Sequence, residues 1–112
     1  VNVTLPYPPS GNRYWRHVGA RVVLSAEARA YKSDVACIMM ELWTKPTASL
    51  VRLEVHMFRP RKAGDLDNTL KVLCDALNGH AWVDDKQIVE IHAYRHDDKD
   101  SPRVEVSVEE LP

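Results

Sequence analysis

The chain has 112 residues, 45% of them hydrophobic, with a formal net charge of −1. That suffices for one hydrophobic core and one domain, 1–112, yet is small enough for a shared interface to help its stability. No stretch has the length of a membrane span, and near-neutral charge counts against a uniformly basic nucleic-acid-binding domain. The charges are nevertheless segregated. Residues 1–26 hold Arg13, Arg16 and Arg21 and no acid, and Arg52, Arg59, Arg61 and Lys62 lead up to Asp65. Many acids lie further on, at Asp97, Asp98, Asp100, Glu105, Glu109 and Glu110. A local field of this kind attracts phosphate even when the total is near zero.

In chain order, Val1, Val3 and Leu5 alternate with polar residues as a short strand, which is not a signal-peptide pattern. Pro6-Tyr7-Pro8-Pro9-Ser10-Gly11-Asn12 then reads as a rigid loop, since proline fixes φ and withholds an amide donor. Arg13–His17 and Arg21–Leu24 flank Gly19 as a hairpin. Ser25 suits a helix cap and Glu27 a first turn, and Tyr31, Val35, Ile38 and Leu42 mark a helical face over 25–44, ended by Pro46. Cys37 and Cys74 fall in helical, apolar patterns and read as two buried, reduced thiols.

Val51, Leu53, Val55 and Met57 alternate as a strand near 50–58, followed by a basic loop, Arg59–Gly64. Leu66, Leu70, Leu73 and Leu77 outline a second helix, with Gly79 as its stop. Strands follow around Val89–Ala93 and Val104–Val108. The order indicates an α+β domain, a mixed β-sheet packed against two main helices.

The chemistry concentrates in aspartates. Asp65-Leu66-Asp67 opens the second helix, where either residue could serve as a cap. Two carboxylates exceed what one cap requires, and a second acidic pair, Asp84-Asp85, follows the helix. Carboxylates so placed meet only if the return loop folds over. Hard cations such as Mg²⁺ bind oxygen ligands and keep several waters, so one to three carboxylates suffice. Such ions activate water and stabilise the oxygens of a reacting phosphodiester. Lys71, four residues after Asp67, is either a surface ion pair or a cation for the scissile phosphate. Asp75 reads as a solvated or structural acid. Arg13, Tyr14, Trp15, Arg16 and His17 mix cations and aromatics, suited to phosphates and unpaired bases. Trp82 reads as a packing anchor, and His56, His80 and His92 as structural residues.

Three stretches together resemble the RusA family of Holliday junction resolvases. They are Leu5-Pro6-Tyr7-Pro8-Pro9-Ser10-Gly11-Asn12-Arg13-Tyr14, Ser25-Ala26-Glu27-Ala28-Arg29-Ala30-Tyr31, and the core from Asp65-Leu66-Asp67-Asn68-Thr69-Leu70-Lys71 to Trp82-Val83-Asp84-Asp85. The resemblance implies a Mg²⁺-dependent endonuclease, with Mn²⁺ as a substitute, that nicks four-way junctions symmetrically and leaves 5′-phosphate and 3′-hydroxyl ends. It places the catalytic set on Asp65, Asp67, Lys71 and Asp85, with the three aspartates as metal ligands, and favours Asp85 over Asp84. Expected DNA contacts are Arg13, Arg16, Arg59, Arg61 and Lys62. In some relatives an arginine precedes the first aspartate; Gly64 stands there, leaving the phosphate to Arg61 or Lys62. The family also implies a homodimer in a bacterial or prophage setting, cytoplasmic and off the membrane. A two-fold dimer supplies two matching sites for two strands of like polarity. The rivals are a fork- or flap-directed nuclease of the same fold and a non-catalytic junction binder.

Overall fold

A computed structural model describes residues 2–42, 45–62 and 66–112, with Asn12 described by its backbone alone. Four strands form the main sheet: β1 (Asn2–Leu5), β4 (Val51–Arg59), β5 (Ile88–Asp97) and β6 (Arg103–Glu110), in the order β1-β6-β4-β5. The sheet is mixed, because β4 and β5 run parallel while β6 is antiparallel to both β1 and β4. A parallel pair needs a crossover, and α2 (Leu66–Leu77) provides it. β2 (Trp15–Val18) and β3 (Arg21–Leu24) form a separate two-stranded ribbon, turning at Gly19 with φ +61°. The α+β class read from the sequence is therefore the observed one.

Alternation decides which sheet face is covered. Val51, Leu53, Val55 and Met57 of β4 are buried with Val104, Val106 and Val108 of β6 and Val3 and Leu5 of β1. Against them pack α1 (Ala26–Glu41), through Ala28, Tyr31, Val35 and Met39, and α2, through Val72, Leu73, Ala76 and Leu77. Each fully buried aliphatic side chain stabilises the fold by about 1.5–3 kcal/mol relative to exposure. The helix caps follow from local chemistry. The Ser25 hydroxyl accepts the amide of Ala28 at 3.1 Å, closing the first turn of α1. Gly79, at φ +84°, ends the chain's run after α2, where a side chain would be strained.

Two expectations shift. The first helix stops at Glu41, before the anticipated limit, and Leu42 stands half exposed as its C-cap. Cys37 is exposed and Cys74 only partly buried, because the covered stripe of α1 runs through Val35 and Met39 and turns Cys37 outward.

The opposite sheet face carries polar and aromatic side chains. Arg52 joins Glu90 at 2.7 Å and Glu109 at 2.9 Å. His56 Nδ1 and His96 Nε2 lie 2.8 Å apart, and their rings stack in a row with Tyr94 and Phe58. Arg103 caps that row, its guanidinium 3.9 Å from the Phe58 ring centroid.

Candidate active site

The site is assembled around α2. Asp67 is the second residue of the helix, inside its first turn, so it does not cap the helix. A carboxylate there is favoured by the positive end of the helix dipole. Asp67, Lys71 and Asp75 recur every four residues and share one stripe, beside the buried face of Val72, Leu73 and Ala76. Asp67 and Lys71 are exposed, and Asp75 is half buried. The first turn sits over the end of β4, where the Thr69 hydroxyl lies 3.0 Å from Met57 Sδ.

Two other segments close on this stripe. The proline loop reaches it through a single turn of 3-10 helix, Gly11–Arg13. A Cβ at Gly11 would stand 3.2 Å from Asn68 Oδ1 and 3.3 Å from the Asn68 carbonyl oxygen, so any larger residue would press Asn68 back by a few tenths of an ångström. The Tyr31 hydroxyl holds the loop to α1 by donating to the Pro6 carbonyl at 2.9 Å. From α1, Lys32 Nζ pairs with Asp75 Oδ2 at 3.2 Å.

The return loop delivers Asp85. Trp82 is fully buried and its indole Nε1–H donates to Asp85 Oδ1 at 2.7 Å. Asp84 has a different task. Its carboxylate accepts the Lys86 amide at 3.0 Å, while its own amide donates to Gln87 Oε1 at 2.8 Å. This capping box starts the 3-10 turn Asp85–Gln87. Gln87 Nε2 then ties the turn to the carbonyls of Thr47 and Ser49, at 2.7 and 2.8 Å. The return loop brings the charge of Asp85 to bear on both Cys74 and Asp75 of α2. Burial, then Asp85, pushes the Cys74 thiol up to about 11. Partial burial, then Asp85, also holds the Asp75 carboxyl above its ordinary value.

The structure thus groups Asp85 with Asp75 and sets Lys71 and Asp67 along the same helix stripe. About 12 Å of helix axis separates Asp67 from Asp75. Among the described residues, no three acidic, histidine or cysteine side chains converge on one point. Asp65, like Gly64, lies outside the described residues. Asp75, read from the sequence as a solvated or structural acid, pairs with Lys32, a partner 43 positions away that only the packing of α1 on α2 reveals.

The expected DNA contacts divide. Arg13 and Arg16 are exposed, Arg13 with only a 3.9 Å approach to Glu27. Arg61 and Lys62 are exposed just after β4. Arg59 is corrected: it is buried, and its Nε and Nη2 both meet Asp97 Oδ1 at 2.8 Å. It sits on the helix-covered face of β4, so its guanidinium fastens β4 to β5 and is not free for phosphate. Two further cations, Arg21 of the basic N-terminal segment and Arg95, are exposed. Arg21 shares a ribbon face with Arg16, and Arg95 lies beside Met57 on the helix side of the sheet. Arg95 continues the inward positions of Ile91 and Ala93, a pattern visible in the sequence but read as strand alone.

A small α+β domain with an acidic, lysine-bearing helix stripe and a cationic ribbon has the charges that phosphodiester chemistry requires. The family model Endodeoxyribonuclease RusA matches residues 6–109. The chain is 36% identical to the crossover junction endodeoxyribonuclease RusA of Escherichia coli strain K12, over 98% of this chain and 94% of that protein. It is similar to its counterpart in Enterobacteria phage 82, 36% identical, and in Shigella sonnei strain Ss046, 35% identical, with the same coverage. The chain belongs to the RusA endodeoxyribonuclease family. No helix among the described residues is long and apolar enough to cross a membrane.

Proposed function

We propose that this endodeoxyribonuclease resolves four-way DNA junctions by paired symmetric nicks, with Mg²⁺ held by Asp65, Asp67 and Asp85. The observation that supports this reading is the return loop, which brings the Asp85 charge to Asp75, on the α2 stripe that also carries Asp67 and Lys71. The donor set suits a hard cation. Asp67 and Asp85 are exposed, and Mg²⁺ keeps several waters, so each carboxylate need contribute little coordination. When bound, the ion activates water and stabilises charge on the scissile phosphate. The ligands come from one subunit or with help across a homodimer.

The chain's own residues do the rest. Lys71, one turn from Asp67, offsets negative charge developing on the phosphate. Arg13, Arg16, Arg61 and Lys62 hold the DNA backbone and counter the repulsion of the acidic stripe. The Asp84 carboxylate caps the 3-10 turn, which supports Asp85, the residue that the family resemblance favours, as the ligand. Mn²⁺ is expected to substitute for Mg²⁺, and the setting to be the cytoplasm of a bacterium or prophage host.

The test is cleavage of a mobile four-way junction beside fork and linear duplex, comparing the chain with Asp67→Asn. The variant keeps shape and loses charge. A loss of about 100-fold or more is expected, since a ligand's share of several kcal/mol scales at tenfold per 1.36 kcal/mol. Wild-type rates in the variant would sink the assignment.

A further inference from the structure

We infer that Trp82 is a positioning residue that fixes the orientation of the Asp85 carboxylate through its indole N–H. The inference rests on the proposed role of Asp85 as a ligand. Three observations carry it. The indole is fully buried, so its N–H points from an immobile body. The backbone around it is pinned: the Trp82 carbonyl accepts the Gly79 amide at 2.8 Å, and Thr47 exchanges backbone bonds with Ala81 and Val83. The donor reaches only one carboxylate oxygen, Oδ1 at 2.7 Å, and among the described residues no hydrogen bond occupies Oδ2.

Asp85 itself is exposed and starts a 3-10 turn of three residues. An exposed aspartate would otherwise sample several rotamers. One bond from a fixed donor selects among them and leaves the second oxygen available to a cation. Groups behind a ligand act in this way: they orient it, and their removal weakens metal affinity about 10–100-fold. A packing role alone gives no reason for the indole edge to meet this carboxylate, because phenylalanine would fill an apolar site without an N–H.

The experiment uses the full chain and two readouts. In ¹⁵N-labelled wild-type protein titrated with Mg²⁺, the Trp82 indole N–H resonance is expected to move with the same midpoint as the Asp67 and Asp85 amides. In Trp82→Phe, the Mg²⁺ midpoint for junction cleavage is expected to rise about tenfold, and the deficit to shrink as Mg²⁺ is raised. A merely structural role would lower the melting temperature and the active fraction without moving that midpoint. If the Asp67 and Asp85 amides move while the indole stays still, the inference is overturned and the metal site stands. If no resonance responds to Mg²⁺ and Asp67→Asn cleaves at the wild-type rate, the metal site fails and the role of Trp82 fails with it. Should Trp82→Phe not fold, the wild-type titration decides the question.

Discussion

Asp84 and Asp85 are neighbours of identical chemistry, and their hydrogen bonds separate them. The Asp84 carboxylate accepts a backbone amide and starts the 3-10 turn, whereas the Asp85 carboxylate accepts the buried Trp82 indole N–H. Their substitutions should therefore fail differently. Asp84→Ala removes a cap and should cost about 1 kcal/mol of stability, with Mg²⁺-dependent cleavage persisting in the folded fraction. Asp85→Asn should fold as well as wild type and lose cleavage. Thermal melts and cleavage assays on both variants check this, and the reverse pattern would exchange the two assignments. Arg59 makes the same point about identity and environment. In the sequence it is one of several cations before Asp65; in the fold its guanidinium is taken up by Asp97.

At the scale of elements, α2 carries both core and site, and its amphipathicity keeps them apart. Cys74 lies at the boundary, next to buried Leu73 and within the field of Asp85, which together with burial raises its pKa to about 11. Only the thiolate is nucleophilic, so at pH 8 Cys74 is almost wholly in its unreactive form. Cys37, exposed on α1, has no such cover. Titration with a thiol reagent at pH 8 should modify Cys37 rapidly and Cys74 only on unfolding; rapid modification of both would mean that the return loop does not cover α2 as described. Strand periods were legible because apolar residues alternate cleanly in β4 and β6. The end of α1 was less so: Leu42 continues the apolar spacing, yet it is the C-cap and stands half exposed.

For the whole molecule, the charge distribution outweighs the total. The β2–β3 ribbon stands apart from the main sheet, with Arg16 and Arg21 on one face and Trp15 and His17 on the other. Trp15 is 56% exposed and meets the buried Tyr14 ring edge-on. Phosphates on the arginine face would release counterions. Arg16→Ala and Arg21→Ala should each weaken junction binding and reduce the slope of log affinity against log salt by about 1. Binding measured between low and physiological salt checks this, and unchanged slopes would remove the ribbon from the DNA interface.

By itself the sequence determined the α+β class, the ribbon, both helices and the candidate aspartates, because periodicity, caps and turn residues are local signals. Its motifs also pointed to the family that the whole-chain comparison shows. Tertiary structure decided what those residues touch. Lys32 reaches Asp75 across 43 positions, Asp97 takes Arg59 across 38, and the return loop brings the Asp85 charge to Asp75. Such pairings follow from how α1, α2 and the sheet pack, and no local pattern encodes that distance. The link from Trp82 to Asp85 spans only three residues, yet it too required the fold, since it depends on an indole held still by the core.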